Sequence, residues 1–507
     1  MKPRRRTVRR GALLVGLVAV ACGGGDKKQE QAAPPEEGAV PDRPPANVDT
    51  APLTLGLQRP GDFGYEWGKA ARAFAPAAAA REKQNWVAVR SACEEAVAAD
   101  ALHLDAHRLL ASALAQQGEY EKSLEHLKVA LAGDWVKFGA AALADPDLEP
   151  LTSSPLGGAL EQMVAAHREQ FARSARAGLL LVARRAAFKP PQPKKPGASA
   201  RLASRAEVFA YVKETQRYLR LTQTGFQVLG FLPSPSGDEI AYVAATHVVL
   251  ADPAPILAAA QVGTVSLASP EVRTPAASIK NARALAIEYA AGDELIATSY
   301  DPQGAWGLGE ARAFTIDRGE GKATPTRLPD AAERRRLIAR YETVELEGAG
   351  DAEGIAADWN PETGAAEEFV IESSQKRVQL PAGGAAARSS LAWSPDRTRL
   401  AFATAADPCA PQEFDRQSSL YVVEAESGKL KHVFKGPPRF RPRFADSATL
   451  AFEDDSGNIR LFDAAVAREV GRLESRGGLA FAGLGALAAP PCQAETPEPT
   501  SQATPEP

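Results

Sequence analysis

The sequence has little of what metal-binding, redox and nucleic-acid-binding proteins need. Its 507 residues include only four cysteines and six histidines, too few and too scattered for a zinc ribbon or an iron–sulfur centre. Lysine and arginine total 59 against 63 acidic residues, and a net charge of −4 lacks the basic surplus of a dedicated nucleic-acid binder. The hydrophobic share of 45% is ordinary for globular proteins. The length predicts roughly two to four folded units.

Long apolar runs are also missing, since no segment after residue 22 reaches the roughly 20 residues that a bilayer crossing needs. At the N-terminus, a basic head precedes the short apolar run Gly11–Ala21, and Cys22 follows. This pattern indicates a bacterial secretory signal peptide over residues 1–21. The residues Ala19-Val20-Ala21-Cys22 resemble a lipobox, although Leu is commoner at the first position. The resemblance implies a lipoprotein with diacylglycerol and palmitate on Cys22. Plain secretion with cleavage after Ala21 is the alternative.

Two stretches have the composition of solvated, unstructured chain. Residues 22–60 are rich in Pro, Gly, Glu and Ala without helical or strand periodicity, which predicts a disordered tether. Residues 493–507 form a similar tail. Because Gly23 rather than Asp follows the lipobox cysteine, we expect a lipid-anchored protein of the outer membrane. Its folded part would face the periplasm or the cell surface.

Residues 61–172 are rich in Ala, Leu, Glu and Lys, and their 3.6-residue period predicts helices. Within them, 105–134 resembles a tetratricopeptide repeat, a helix–turn–helix unit of 34 residues. The matching positions are Leu110, Ala111, Leu114, Gly118, Tyr120, Leu127 and Ala130, and Ser123 stands where the family has Ala. The upstream repeat has a degenerate first helix, 68–83, that contains Pro76. The resemblance predicts a TPR-like helical domain of about three repeats.

Stacked repeats of this kind have a concave face formed by the first helix of each pair. On that face we expect Asp105, Arg108, Ser112 and Gln116 to be exposed and to bind a partner protein or an extended peptide, because they are three or four residues apart. An ordinary solvated helix face is the alternative. His103 and His107 are also four residues apart, but with no third ligand nearby we predict no metal site.

Beyond a Pro/Lys-rich loop at 189–196, the period becomes that of β-strands. Two kinds of segment alternate over 173–492. One is a strand pair around a Ser/Pro/Asp turn, and the other is an outer hairpin, with a weaker copy at 248–267. The best-formed turn, Trp393-Ser-Pro-Asp396 followed by Leu400-Ala-Phe402, resembles the repeat of TolB-type β-propellers. Six outer hairpins predict a six-bladed β-propeller, although five or seven blades remain possible. The fold class is therefore multidomain, α followed by all-β.

The two ends of this region predict how the ring would close. The strand 178–184 precedes the first outer hairpin, and the apolar run 478–484 has no outer hairpin after it. We expect these segments to complete one blade, with Leu479–Leu484 meeting the strand near Leu180.

Three further cysteines have predicted roles. Cys409 and Cys492 lie in loops of an exported chain, which favours a disulfide between them. Cys93 occupies an apolar helix position and is predicted to be a buried thiol.

Catalytic motifs are absent. The chain has no Gly-x-Ser-x-Gly elbow, no His-Glu-x-x-His and no Cys-x-x-Cys, and we predict a non-enzymatic protein without cofactors. The preferred interpretation is a protein–protein interaction scaffold of the cell envelope. Its partners would be other envelope proteins or peptides, with no nucleic acid and no membrane contact except the lipid on Cys22. The alternative is a small-molecule binder or metal-dependent, lactonase-like hydrolase that uses the propeller channel.

Overall fold

A computed structural model describes sixteen stretches of the chain. They are residues 49–58, 69–184, 199–201, 206–249, 256–272, 274–282, 284–290, 293–302, 308–329, 353–360, 364–381, 384–404, 417–436, 442–454, 458–473 and 479–480. The predicted signal peptide, Cys22, Cys409, Cys492 and the tail 493–507 lie outside these residues. In the described chain, an N-terminal helical region precedes a large β-rich region. The predicted order of α followed by β is confirmed.

The helical region consists of hairpins of neighbouring helices joined by short turns. The helix Trp86–Ala99 begins after Asn85, whose side-chain oxygen accepts a hydrogen bond from the backbone N–H of Ala88. The helices of the described chain are α1 (Lys69–Glu82), α2 (Trp86–Ala99), α3 (Leu104–Gln116), α4 (Tyr120–Gly133), α5 (Trp135–Phe138), α6 (Glu149–Thr152) and α7 (Gly157–Ala177), with a 3-10 turn at Pro146–Leu148.

The α3–α4 hairpin corresponds to the best-formed predicted repeat. Gly118 in its turn has a φ of +78°, a conformation that glycine adopts without steric cost. Ala111 and Ala130 are fully buried between the helices. The Ser123 hydroxyl donates a hydrogen bond to the Ala111 carbonyl, with 2.7 Å between the oxygens. The predicted close approach of these two helices at small residues is therefore confirmed.

The segment 49–58 departs from the predicted tether. Leu55 and Leu57 are buried in a hydrophobic core that also includes residues of α4. Leu57 and Tyr218 exchange two backbone hydrogen bonds of 2.9 Å each. The Lys128 ammonium donates to the Asp49 carboxylate at 2.9 Å. The prediction of a disordered tether up to residue 60 is therefore wrong for residues 49–58, because the two leucines of this stretch are buried in an apolar cleft between α4 and the strands.

The β-rich region contains mostly short strands. They are β1 (Leu179–Arg184), β2 (Ser199–Arg201), β3 (Ala206–Val212), β4 (Arg217–Arg220), β5 (Gln227–Pro233), β6 (Glu239–Val249), β7 (Ile256–Ser266), β8 (Ala277–Ala282), β9 (Ala284–Tyr289), β10 (Leu295–Pro302), β11 (Leu308–Asp317), β12 (Lys322–Thr326), β13 (Ile355–Ala356), β14 (Ala365–Ala366), β15 (Glu368–Ile371), β16 (Lys376–Gln379), β17 (Ala386–Ala387), β18 (Ala392–Trp393), β19 (Arg399–Ala403), β20 (Ser418–Glu424), β21 (Leu430–Gly436), β22 (Arg443–Phe444), β23 (Thr449–Glu453), β24 (Ile459–Asp463), β25 (Arg468–Leu473) and β26 (Leu479–Ala480).

Most strands pair with their neighbours along the chain. The runs β9 to β12, β18 to β21 and β22 to β25 are each four-stranded antiparallel sheets. The strands β13, β15 and β16 form a three-stranded sheet, and β14 pairs with β17. The run β5 to β8 is also antiparallel, and β2 adds to β6. A parallel pairing of Ala206 with Gln227 joins this run to β3.

Strands from the two ends of the β-rich region also pair. Val182 on β1 lies opposite Ala480 on β26, and Ala183 lies opposite Leu479. Since β1 pairs with β3 and β3 with β4, these strands follow the order β26, β1, β3, β4. The predicted meeting of the segment that begins at Leu479 with the strand near Leu180 is confirmed for Leu479 and Ala480.

Two of the turns between strands share one geometry. The backbone N–H groups of Ser234 and Ser394 each donate to the carbonyl oxygen five residues later, at 2.8 Å in both turns. Three residues after each serine, the chain has a positive φ, +72° at Gly237 and +55° at Arg397. The predicted equivalence of these two Ser-Pro turns is therefore confirmed.

Replacing Gly237 by alanine is expected to lower the free energy of unfolding by about 1 kcal/mol. The added Cβ meets no atom within 4 Å, so the cost comes from the φ of +72°. Gly158 in α7 is the matched control, because its Cβ would also meet nothing within 4 Å but its backbone is helical. Gly158→Ala should raise stability by about 0.5–1 kcal/mol. Urea denaturation measures both, and a loss in both variants would contradict the conformational explanation.

The helical and β-rich regions share one hydrophobic core, which joins residues of α3 to α7 with residues of β1 and β3 to β6. Trp135 donates its indole N–H to the Glu271 carboxylate at 2.8 Å, and Arg168 pairs with the same carboxylate at 3.0 Å. The Asp134 and Arg220 side chains form a buried ion pair of 2.5 Å. The predicted boundary between residues 172 and 173 falls inside α7, which continues to Ala177 because its apolar face packs on this shared core.

Candidate functional site

A groove lies between α1 and α3, the first helices of two successive hairpins. Its volume is about 310 Å³. The lining residues are Phe74, Ala78, Arg81 and Glu82 from α1, Asp105, Arg108, Leu109 and Ser112 from α3, and Asp145 and Asp147 from the turn before α6. Three of the four predicted partner-binding residues therefore line one groove.

The predicted residues lie close together, but their own chain already contacts them. Arg108 donates to the Ser112 hydroxyl at 2.6 Å and forms an ion pair with Asp145. Asp105 pairs with Lys137 at 2.6 Å. Gln116 does not line the groove, and its amide N–H donates to the carbonyl of Asp147 at 3.1 Å.

The expectation that all four side chains would be exposed is wrong for two of them. Arg108 is only 8% exposed and Ser112 is fully buried, whereas Asp105 and Gln116 are partly exposed. The cause is the segment 145–152, which packs against α3 and is held there by the fully buried Leu148 and Leu151. The sequence pattern identified the correct helix face but not the segment that covers part of it.

The groove is strongly ionic. Arg81 pairs with Asp147 at 2.5 Å, and Arg108 pairs with Asp145. Burial lowers the pKa of the Arg108 guanidinium, and the charge of Asp145 acts in the opposite direction. An arginine remains charged at neutral pH even so, because its usual pKa lies far above neutrality. The groove therefore presents paired charges beside the apolar surface of α1.

Several groove residues were not identified from the sequence. The wall on α1 comes from the helix that the repeat pattern marked as degenerate, and only its helical period indicated that Phe74, Ala78 and Arg81 share a face. Asp145 and Asp147 belong to a turn with no repeat signature. Their contribution depends on how the chain folds back after α5.

The two histidines that were considered as metal ligands have different structural roles. His103 caps α3, since its Nδ1 accepts a hydrogen bond from the Ala106 N–H at 3.2 Å. His107 instead faces His126 on α4, with 2.9 Å between the Nδ1 atoms, and its Nε2 lies 3.0 Å from the Ala101 carbonyl oxygen. Among the residues that the structure describes, no group of three or more His, Cys, Asp or Glu side chains is arranged to hold a metal ion.

Cys93 is fully buried in α2, among apolar residues such as Val89 and Ala96. Burial raises the pKa of its thiol to about 12, which keeps it protonated and unreactive at neutral pH. The predicted buried thiol is confirmed.

In the described part of the chain, no helix is both long and apolar enough to cross a membrane.

Comparison with known proteins finds similarity only to solved structures, at low identity and low TM-score. No protein-family model matches the chain, and no curated protein matches it. Among solved structures, the chain is similar to TolB from Acinetobacter baumannii, at 11% identity and a TM-score of 0.32 over 67% of this chain and 72% of that one. It is also similar to an oligogalacturonate lyase in complex with manganese, at 11% identity and a TM-score of 0.27 over 57% and 77% of the two chains. A putative 6-phosphogluconolactonase from Bacteroides uniformis matches at 11% identity and a TM-score of 0.26 over 60% and 99%.

Proposed function

We propose that the protein is a non-enzymatic interaction scaffold of the bacterial cell envelope, anchored by lipid on Cys22. The observation that carries this proposal is the groove between α1 and α3, where Asp105, Arg108 and Ser112 meet an apolar wall. Concave surfaces are the usual sites for ligands and peptide segments, and this one combines charged side chains with the apolar surface of α1. The partners are other envelope proteins or peptides that enter this groove.

The β-rich region would form the second part of the scaffold, a closed propeller of six blades. The pairing of β26 with β1 supports closure, because it completes the first blade with a strand from the far end of the region. The sheets β5 to β8, β9 to β12, β18 to β21 and β22 to β25 would be four further blades. The sheet of β13, β15 and β16 would be the remaining one. Closure of this kind would join the two ends of the region in one blade, and the radial arrangement of a propeller leaves only short, protected sheet edges.

The helical part would be a tetratricopeptide-like stack. Support comes from the α3–α4 hairpin, with its glycine turn and the contact of Ser123 with Ala111. The shared core would hold the helical groove at a fixed position relative to the propeller, so that one partner could contact both.

Site-specific photo-crosslinking in living cells tests the scaffold role. A photoreactive residue at Ala78, exposed in the groove, should yield defined crosslinked products with envelope proteins. Val87 on α2 is the matched control, since it is 73% exposed and does not line the groove. Cys22→Ser should move the protein from the membrane to the soluble fraction and remove palmitate labelling. Equal crosslinking at both positions would contradict the groove as binding site, and unchanged membrane retention would contradict the anchor.

A further inference from the structure

The groove between α1 and α3 is lined by more carboxylates than cations. The carboxylates are Glu82, Asp105, Asp145 and Asp147, and the cations are Arg81 and Arg108. Asp145 and Asp147 pair with the two arginines, and Asp105 pairs with Lys137 of α5. Within the part of the chain that the structure describes, Glu82 is the groove carboxylate whose charge no ion pair compensates.

The position of Glu82 adds to this negative charge. Glu82 is the last residue of α1, and it is exposed. The C-terminal end of a helix carries the negative pole of the helix dipole, so a carboxylate is unfavourable there and a cation is favourable. The neighbouring Arg81 is already paired with Asp147 at 2.5 Å. A cation supplied by a bound segment would therefore be stabilised at this end of the groove.

The wall of the groove on α1 changes from apolar to anionic along the helix. Phe74 is partly exposed in the groove, and the partly exposed Leu109 of α3 adds apolar surface. Phe74, Ala78 and Glu82 follow one another at intervals of four residues and therefore lie on one face of α1. The helical rise from Phe74 to Glu82 is about 12 Å. The small side chain of Ala78 leaves room between the two ends.

These dimensions define the kind of segment that fits. An extended chain rises about 3.3 Å per residue and its alternate side chains point to the same side, so residues four positions apart are separated by about 13 Å on one face. This separation matches the rise between Phe74 and Glu82. The groove volume of about 310 Å³ is at the lower end of the range for ligand sites, about 300–1,000 Å³, which suits a short segment.

We propose that this groove binds an extended segment of a partner protein that carries an apolar side chain and, four residues away, a lysine or an arginine. The apolar side chain contacts Phe74 and Leu109, and the cation pairs with Glu82 at the end of α1. This inference rests on the proposed function, because it names the chemistry of the segment that enters the groove.

Fluorescence anisotropy with the detergent-solubilised full-length chain tests the proposal. The probe is a labelled peptide, Gly-Lys-Ser-Gln-Ser-Leu-Ser-Gln-Ser-Lys-Gly, in which a lysine lies four residues from the leucine in both directions. Its counterpart has glutamate in place of both lysines. The lysine peptide should bind about five-fold more tightly, because the exchange replaces attraction to Glu82 by repulsion. Equal affinity for the two peptides, or no saturable binding of the lysine peptide up to about 1 mM, would overturn the proposal.

Two variants with the same change in net charge identify the carboxylate responsible. Glu82→Lys should abolish the preference for the lysine peptide. The helix dipole favours a cation at this position, so the variant should remain folded, which urea denaturation checks. Glu95→Lys is the matched control, since Glu95 is exposed on α2 outside the groove, and it should leave the preference unchanged. Equal effects of the two variants would overturn the proposal, because only the overall charge would then matter.

Photo-crosslinking at Ala78 separates this inference from the scaffold role. Mass spectrometry of the crosslinked products identifies the bound segment, which should contain the apolar residue and the cation four positions apart. Glu82→Lys should lower the crosslinking yield. Crosslinks to segments without such a pair would overturn this inference and leave the scaffold role standing, whereas an absence of specific crosslinks at Ala78 would contradict both.

Discussion

Asp134→Asn is expected to lower the free energy of unfolding by about 3–5 kcal/mol, the largest effect of any single change considered for this chain. Asp134 and Arg220 form a two-point ion pair, with distances of 2.5 and 3.1 Å, and their side chains are 0% and 5% exposed. Removing the carboxylate charge takes the ion-pair partner away from a buried guanidinium. Asparagine keeps an oxygen that can accept the Lys137 N–H at the start of α5, so the change isolates the ion pair from the helix cap.

Chemical denaturation with matched variants checks this result. Arg176 and Asp238 form an ion pair of similar length, 2.8 Å, but on the surface, so Asp238→Asn should cost less than about 1 kcal/mol. The double variant Asp134→Leu with Arg220→Met should recover most of the loss, because it removes both buried charges together. A loss for Asp134→Asn no larger than for Asp238→Asn would show that the ion pair does not secure the helical region to β4.

The second large effect is a loss of stability in mild acid, carried by the helical region. Burial lowers the pKa of His103, His107 and His167, and burial together with the nearby His107 lowers the pKa of His126 to about 4. A histidine with a lowered pKa binds its proton more readily in the unfolded chain. These histidines therefore contribute their full stabilisation at pH values above their pKa in the unfolded chain, about 6.5. The stabilisation is lost as the pH falls from there towards the lower pKa values of the folded protein.

The free energy of unfolding is expected to change by about 1.4 kcal/mol per pH unit for each proton that the chain takes up when it unfolds. Glu207 acts in the opposite direction, because burial raises its pKa and its contribution is lost as the pH rises. Urea denaturation from pH 7 to pH 4.5 should show stability falling with the pH, and His126→Gln should flatten that dependence. An unchanged slope in His126→Gln would indicate that His126 does not titrate differently in the two states.

Besides burial, which is the larger cause of the lowered pKa of His126, the His107–His126 contact disfavours protonation of both imidazoles at once. Since the Ala101 carbonyl only accepts, His107 carries its hydrogen on Nε2 and offers the lone pair of Nδ1 to His126. His126 then donates from its own Nδ1. A proton on both rings would place two N–H groups and two positive charges face to face at 2.9 Å.

Much of the local structure could be predicted because it depends on neighbouring residues. The small residues at Ala111 and Ser123 predicted a close helix pair, and the Ser-Pro turns at Ser234 and Ser394 predicted equivalent strand connections. Even the pairing of Leu479 with the first strand followed from counting hairpins. The weaker copy at 248–267, in contrast, is no outer hairpin: it covers the end of β6 and the whole of β7, which are long inner strands of their run.

By itself, the sequence determined the order of helical and β-rich regions, the face of α3 that lines the groove and the buried position of Cys93, because periodicity and turn residues act over short distances. Only the tertiary structure decided that the segment 145–152 covers part of that face, that 49–58 pairs with β4, and that Asp134 meets Arg220. These contacts join residues that are far apart in the chain. Each depends on surfaces that the rest of the fold brings together, and no local pattern in the contacting residues predicts it.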